Sequence, residues 1–216
     1  WVIYGNHRKD RAKNGTADGL DQFGHGNEYL TPPEVDRIGD NNHWQIRVVP
    51  NKFPIVPIHE IIIYDADTSS ELIFQMYKKR YLARQKEGRV IIFVNFGLAS
   101  GATLAHPHSQ LTVVPANMGE TALIPEISNI IFSQNNLVAY CPDQSEYPYE
   151  VWIRPKKTLK NFSDISVNDL QDLSQMTEKI IEKIKKLSDS YNYYLETSPV
   201  WYLRIFPRIS IKGSFE

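Results

Sequence analysis

Two histidines two positions apart, His106 and His108, are followed at the same interval by Gln110 in Ala105-His106-Pro107-His108-Ser109-Gln110. In an extended chain, residues two apart face the same way, so this spacing sets two imidazoles and an amide on one side. An imidazole nitrogen without its hydrogen can attack phosphorus covalently and be displaced again, splitting one displacement into two. The other ring nitrogen must then donate its hydrogen to a fixed acceptor. Gln110 is uncharged and can donate to a phosphate oxygen without competing as a base. Just upstream, residues 95–105 carry Gly97 and Gly101 with the small hydroxyls Ser100 and Thr103. Such a loop lets backbone N–H groups come close to phosphate. By itself the histidine pair also suits a packing role or half of a metal site. The glycine loop and Gln110 turn the reading toward phosphoryl chemistry.

The elements that must position these residues follow from periodicity. Extended segments at 44–50 and 59–64 are rich in Val and Ile. A helix is expected over 69–86, with Ser69 and Ser70 as caps, Leu72, Ile73, Met76 and Leu82 on its apolar face, and Glu87-Gly88 as its stop. Strands at 89–94 and 110–114 follow, and Pro107, which cannot donate to a ladder, belongs at a strand's beginning. The order then repeats: strands at 137–140 and 149–154, a helix, strands at 191–195 and 201–206. Ser166-Val167-Asn168-Asp169 reads as its capping box. Leu170, Leu173, Met176, Ile180, Ile184 and Leu187 form the apolar stripe. We therefore expect an α+β fold of two duplicated halves, 1–118 and 119–216. Each is an antiparallel sheet with a helix packed on it, and the halves join into one continuous sheet. Residues 5–43, rich in Gly, Asn, Asp and His, read as irregular, and 115–134 show no clear period.

Composition narrows the partners. The chain has 216 residues and a formal net charge of -1, so nothing global favours nucleic acid or an acidic membrane surface. No apolar run reaches the roughly 18 residues that span a bilayer. Trp1-Val2-Ile3-Tyr4 is too short and uncharged for a signal peptide. Trp1 is not an initiator, so residues are expected before it. The lone Cys141 cannot form an internal disulfide, which fits a reducing cytoplasm.

Residues 95–110 closely resemble the active-site signature of the galactose-1-phosphate uridylyltransferase family, a branch of the histidine-triad superfamily. The resemblance extends over nearly the whole chain. Val48-Val49-Pro50-Asn51-Lys52-Phe53-Pro54 looks like that family's uridine-side motif. Gly26-Asn27-Glu28 with Thr31-Pro32-Pro33-Glu34 resembles its N-terminal segment, and Arg8 and Arg11 stand at the spacing of its phosphate-region arginines. Tyr149-Glu150-Val151-Trp152-Ile153 and Phe206-Pro207-Arg208 match its second half. The resemblance implies that His108 becomes nucleotidylated, that Gln110 holds the phosphoryl group, and that His106 shapes the catalytic loop. It places Asn95, Gly101 and Thr103 at the phosphates, Asn51 near base and ribose, and Arg8 and Arg11 at the phosphates or sugar phosphate. Phe215 and Glu216 resemble the start of its hexose-phosphate segment, after which the C-terminal half reads as truncated.

The departures concern metals. Family members bind structural zinc through two cysteines, a histidine and the first histidine of His-Pro-His. Here Asp21, Gly24 and Thr68 stand at three of those places and His106 alone remains. A structural zinc needs about four good ligands, so no zinc is expected. Glu196, Val200 and Tyr202 replace the histidines of a second site, an iron site, so no metal cofactor is expected at all. The implied reaction is ping-pong transfer of uridylyl from UDP-glucose through His108 to galactose-1-phosphate. The implied assembly is a cytoplasmic homodimer with nucleotide sugar and sugar phosphate as its partners. The sequence leaves two alternatives open: an adenylyl-transferring relative such as an ADP-sugar or dinucleoside polyphosphate phosphorylase, and a nucleotide-binding relative without turnover.

Overall fold

A computed structural model describes residues 20–40, 43–115, 124–157, 161–197 and 200–209. Ten strands form one antiparallel sheet: β1 (Asp36–Gly39), β2 (Trp44–Pro50), β3 (Ile58–Tyr64), β4 (Arg89–Phe96), β5 (His108–Val114), β6 (Ile130–Gln134), β7 (Leu137–Tyr140), β8 (Val151–Pro155), β9 (Tyr191–Glu196) and β10 (Tyr202–Pro207). Their order is β1-β2-β3-β5-β4-β9-β10-β8-β7-β6. Two long helices, α1 (Ser70–Arg84) and α2 (Val167–Ile184), lie side by side on one face.

The alternation of each strand decides what the helices cover. Ile46, Val48, Ile62, Leu111, Val90, Ile92, Leu195, Leu203 and Ile153 turn toward α1 and α2 and are fully buried. Their neighbours in sequence face the other way. Ser69 caps α1 by accepting the Leu72 N–H at 3.3 Å, and Ser166 caps α2 by accepting the Asp169 N–H at 3.0 Å. α2 buries Leu170, Leu173, Met176, Ile180 and Ile184, as its periodicity requires, but ends before Leu187, which is exposed. α1 departs further from expectation. Leu82 points to solvent, and the buried face runs through Phe74, Tyr77, Arg80 and Tyr81. Arg80 is tolerated there because Glu60, buried on β3, accepts from its Nε at 2.9 Å and its Nη2 at 2.8 Å.

The two halves are related through the central β4–β9 pair. Phe93 pairs with Tyr194 between them, and the ladders run outward from that point in matching register. Gln110 on β5 pairs with Phe93, as Arg204 on β10 pairs with Tyr194. One strand further out, Ile61 pairs with Gln110 as Trp152 pairs with Arg204. The register thus maps Gln110 onto Arg204, His59 onto Glu150 and His108 onto Tyr202. The open face differs between the halves. In the second, Ile124 and Ile127 pack on Val138, Tyr140, Trp152 and Tyr202, and Tyr140 donates to the Pro125 carbonyl at 3.1 Å.

Two strands escape the sequence reading. β1 lies in the stretch expected to be irregular, and β6 in the stretch without a period. Both are edge strands. β8 starts at Val151 rather than at 149, because Tyr149 adopts φ of 57°. β5 starts at His108 rather than at 110, and β10 at Tyr202 rather than at 201. Among the described residues no helix is long and apolar enough to cross a membrane.

Candidate active site

β4 and β5 are neighbours joined by the glycine loop, and the loop's shape follows from two positions. Gly97 has φ of +79°, and a Cβ there would collide with the Ser190 hydroxyl and the Asp189 carbonyl. The chain makes one 3-10 turn at Leu98–Ser100, and Gly101, at φ of +83°, closes it. Gly101 has open space around its Cα, so its need is for the left-handed backbone alone. Ser100 is buried and donates to the Gly97 carbonyl at 2.6 Å, so its hydroxyl serves the loop. The Ala99 N–H donates to Ser190 at 3.2 Å, which ties the loop to the second half.

His108 is the first residue of β5. Its Nδ1 lies 2.8 Å from the backbone carbonyl of His106. A carbonyl accepts, so Nδ1 carries the hydrogen and Nε2 keeps a lone pair. Burial pushes the His108 pKa below its ordinary value. The bond to the carbonyl works in the opposite direction, and the charge of His106 adds to the lowering. The net result is a neutral imidazole near pH 7, in the tautomer nucleophilic attack requires. The edge of Phe23 packs against the ring at 5.4 Å.

Two amides flank His108. Gln110, two residues on and on the same face, has its Oε1 2.9 Å from His59 Nε2. Asn95, at the end of β4, accepts at Oδ1 from Asn192 Nδ2 at 2.6 Å. Asn192 is held in turn by Arg208 Nε and by the Ser100 carbonyl. In both amides the oxygen is engaged by protein.

Asn51 is used differently. Its N–H donates to the His59 carbonyl at 2.8 Å, its Oδ1 accepts the Phe53 N–H at 2.9 Å, and its Nδ2 lies 3.2 Å from the His59 ring. The Oδ1 end of this side chain holds the 50–55 turn and the Nδ2 end meets His59 on β3, although it also lines the cleft.

The cleft has two compartments. A cavity of about 130 Å³ lies between the 50–53 turn, Phe23 and the loop, and Gln110, Gly101 and Thr103 line it. An open cavity of about 820 Å³ lies on the other side of the loop, toward Asp65, Lys185 and Tyr191. Asn95, Thr103 and His108 border both.

His106 stands outside β5, in a bend, so the alternation joining His108 and Gln110 does not extend to it. Its Nδ1 is 2.7 Å from Asp21 Oδ2, and its backbone carbonyl fixes the His108 tautomer. Asp21, at an expected cysteine place, is therefore a hydrogen-bond partner for His106. Burial raises the Asp21 pKa, but the bonds from His106 and from the Phe23 N–H outweigh it, and the net shift is downward. His25 stacks on Trp44 at 4.0 Å and meets Asp65 at 2.9 Å. Thr68 donates to the Gln45 carbonyl at 3.3 Å. In the second half Glu196 faces Arg89 at 3.7 Å, and Tyr202 stacks on Trp152. Among the described residues no three His, Cys, Asp or Glu side chains gather closely enough to hold a metal ion.

The structure thus brings His108, Gln110, Asn95, Gly101, Thr103 and Asn51 to one cleft and sets His106 behind it. Arg8, Arg11, Phe215 and Glu216 lie outside the described residues. Three residues at the site were not read from sequence: His59, Asn192 and Phe23. His59 had a signal, since a histidine beside a glutamate interrupts an otherwise Ile-rich strand.

Two antiparallel half-sheets merged at their edges, with one helix from each half on the same face, form a duplicated histidine-triad-like architecture. A HIT domain family model matches residues 125–199, within the second half. An ADP-glucose phosphorylase of Arabidopsis thaliana is 26% identical, over 88% of this chain and 74% of its own length. The crystal structure of an ADP-glucose phosphorylase from Arabidopsis thaliana with bound ADP-glucose aligns with a TM-score of 0.77 at 23% identity, over 95% of this chain and 86% of that one. A structure of uridylyltransferase aligns with a TM-score of 0.72 at 16% identity, over 99% and 86%. The structural likenesses, all below 25% identity, show the fold. The HIT domain match and the sequence match to ADP-glucose phosphorylase support a histidine-triad relationship for this chain, without singling out galactose-1-phosphate uridylyltransferase.

Proposed function

We propose that this chain is a nucleotidyltransferase that carries an adenylyl group on His108 between two phosphorylated partners, the donor being an ADP-sugar. The observation that carries the reading is His108 itself: neutral, with its Nδ1 hydrogen held by the His106 carbonyl, at the border of both compartments of the cleft. Nε2 attacks the α-phosphorus, the bond from phosphorus to the bridging oxygen breaks, and the sugar phosphate leaves with that oxygen. The ring, now bonded to phosphorus at Nε2 and still protonated at Nδ1, is cationic, and its hydrogen bond to the carbonyl strengthens as that charge develops. A phosphate oxygen of the acceptor then attacks phosphorus and the P–N bond breaks. With inorganic phosphate as acceptor, the products are ADP and a sugar 1-phosphate. Gln110 and Asn95 donate to the non-bridging oxygens. The contacts to the phosphates and the sugar phosphate that the resemblance implies for Arg8, Arg11, Phe215 and Glu216 belong to this proposal and fall outside the described residues.

The adenylyl form is preferred over the uridylyl form of the sequence reading because the Arabidopsis relative matched in sequence over most of this chain is an ADP-glucose phosphorylase. The side chain expected at the base, Asn51, does not argue for uracil, since its amide holds the 50–55 turn. No metal takes part in this scheme. The nucleophile is an imidazole, and Asp21 stands against His106 by hydrogen bond where the family has a zinc ligand.

The test is intact-mass analysis after mixing the protein with ADP-glucose and, separately, with UDP-glucose. An adenylyl adduct that forms from ADP-glucose, is lost in His108→Asn and discharges on adding phosphate is expected. An adduct from UDP-glucose alone would overturn the adenylyl reading. No adduct from either would overturn covalent transfer.

A further inference from the structure

We infer that His59 is a positioning residue: it fixes which end of the Gln110 amide faces the phosphoryl group. The inference rests on the nucleotidyl-transfer reading of the cleft and adds a residue that this reading does not contain. The Ile55 backbone N–H lies 3.2 Å from His59 Nδ1. A backbone N–H can only donate, so Nδ1 is the accepting nitrogen and the ring hydrogen sits on Nε2. Nε2–H then donates to Gln110 Oε1 across 2.9 Å. With its oxygen held, Gln110 presents its NH2 group to the cleft beside His108. A glutamine has no other internal reason to prefer that orientation, because its two ends are nearly the same size. Turned the other way, it would aim an oxygen lone pair at phosphate oxygens.

The surroundings make the assignment rigid. His59 is 4% exposed, so water has little access to replace it at Gln110 Oε1. It is also held from the backbone side, its carbonyl accepting the Asn51 N–H at 2.8 Å; Asn51 Nδ2, which can only donate, lies 3.2 Å from both ring nitrogens, of which Nδ1 is the one able to accept. The strand register places His59 opposite Thr112, one step diagonal to Gln110 on the same face. Such diagonal neighbours lie within reach of long side chains. In the second half the mapped positions, Glu150 and Arg204, also touch, at 2.7 Å. The geometry of the fold thus offers this diagonal contact twice, and the first half uses it to aim an amide.

The test is a double-mutant cycle on the full chain with His59→Leu, which cannot donate, and Gln110→Ala. His59→Gln serves as the conservative variant that restores a donor. Two quantities are measured for each protein: the rate of His108 nucleotidylation by ADP-glucose and the affinity for AMP. His59→Leu is expected to slow nucleotidylation and weaken AMP binding by about tenfold, the scale of one hydrogen bond to a charged group. It should have no further effect in the Gln110→Ala background. His59→Gln should regain most of the loss. Equal effects with and without Gln110, or no recovery in His59→Gln, would overturn the positioning role and identify His59 as a packing residue. A wild-type protein that shows the coupled AMP affinities but no covalent adduct would instead overturn the transfer reading and leave the positioning role standing.

Discussion

Replacing Glu150 by glutamine removes one charge and changes almost no volume, so its effect isolates electrostatics. Glu150 is 2% exposed and Arg204 is 6% exposed. Glu150 Oε2 accepts from Arg204 Nη2 at 2.7 Å and from the Glu146 and Tyr147 N–H groups at 3.1 Å, and Oε1 accepts from the Trp152 indole. Every neighbour is a donor, so whichever way the substituted amide turns, its NH2 meets donors. Arg204 then keeps the rings of Tyr147, Trp152, Tyr194 and Phe206, and Glu146 at 2.9 Å. The Glu146 side chain is 71% exposed, so water screens much of that help. Burial on its own would lower the Arg204 pKa. The bonds to Glu150 and Tyr194 outweigh it and raise the pKa, so Arg204 stays charged whatever happens to its partner. Breaking a buried pair from one side costs about 3–5 kcal/mol. The remaining rings and Glu146 argue for the lower end, about 3 kcal/mol. In a chain of this size that lowers Tm by roughly 6–12 °C. Urea denaturation followed by circular dichroism gives the free energy, and adduct formation at low temperature gives the chemistry, which should survive. Replacing both partners by methionine should recover most of the stability. A loss below about 1 kcal/mol in Glu150→Gln, with an unchanged denaturant slope, would refute this account.

Gln110→Ala should slow transfer by about 100-fold or more, the usual cost of one donor to a developing oxyanion. Gln110→His should raise the ratio of free nucleoside monophosphate to transferred product, because an imidazole at that place can activate water; an unchanged ratio counts against a protective role. The acid limb of the nucleotidylation rate should reflect His108. Only the neutral ring attacks, and its pKa lies below the ordinary 6.5, so the midpoint of the acid limb should fall below 6.5. A limb centred at or above 6.5 would contradict the burial argument. Treatment with a chelator should leave Tm unchanged and remove no zinc, since Asp21 bonds to His106 Nδ1 and, among the described residues, no three ligating side chains gather around it; stoichiometric zinc on elemental analysis would refute this.

The inner strands were legible because both of their faces are covered or half-covered, which enriches them in Val and Ile and keeps their alternation clean. β1 and β6 were not. β1 has four residues, and β6 exposes Ile130 and Ile131 at the sheet's rim, so neither carries a burial pattern to read. Leu82 misled for the opposite reason: an apolar residue at the right period points outward, while the charged Arg80 goes in, made acceptable by Glu60 on a distant strand. His108 and Gln110 were legible from spacing because both lie within β5, whereas His106 lies before the strand begins and escapes the alternation. His59 could not be paired with Gln110 from sequence, since 51 residues separate them and only the β3–β5 register brings them together.

The asymmetry of the open face has an evolutionary consequence. A duplication starts with two equal seats for a ligand. Here residues 124–127, ahead of β6, lie over the second seat, with Ile124 and Ile127 on Tyr140, Trp152 and Tyr202 and the Tyr140 hydroxyl bonded to Pro125. Beneath that cover Tyr202 stands where the register maps His108. In the proposed transfer the attacking imidazole, His108 on β5, belongs to the first half. The other half has become its buttress, reaching across β4–β9 through Asn192 to steady Asn95 in the surviving seat.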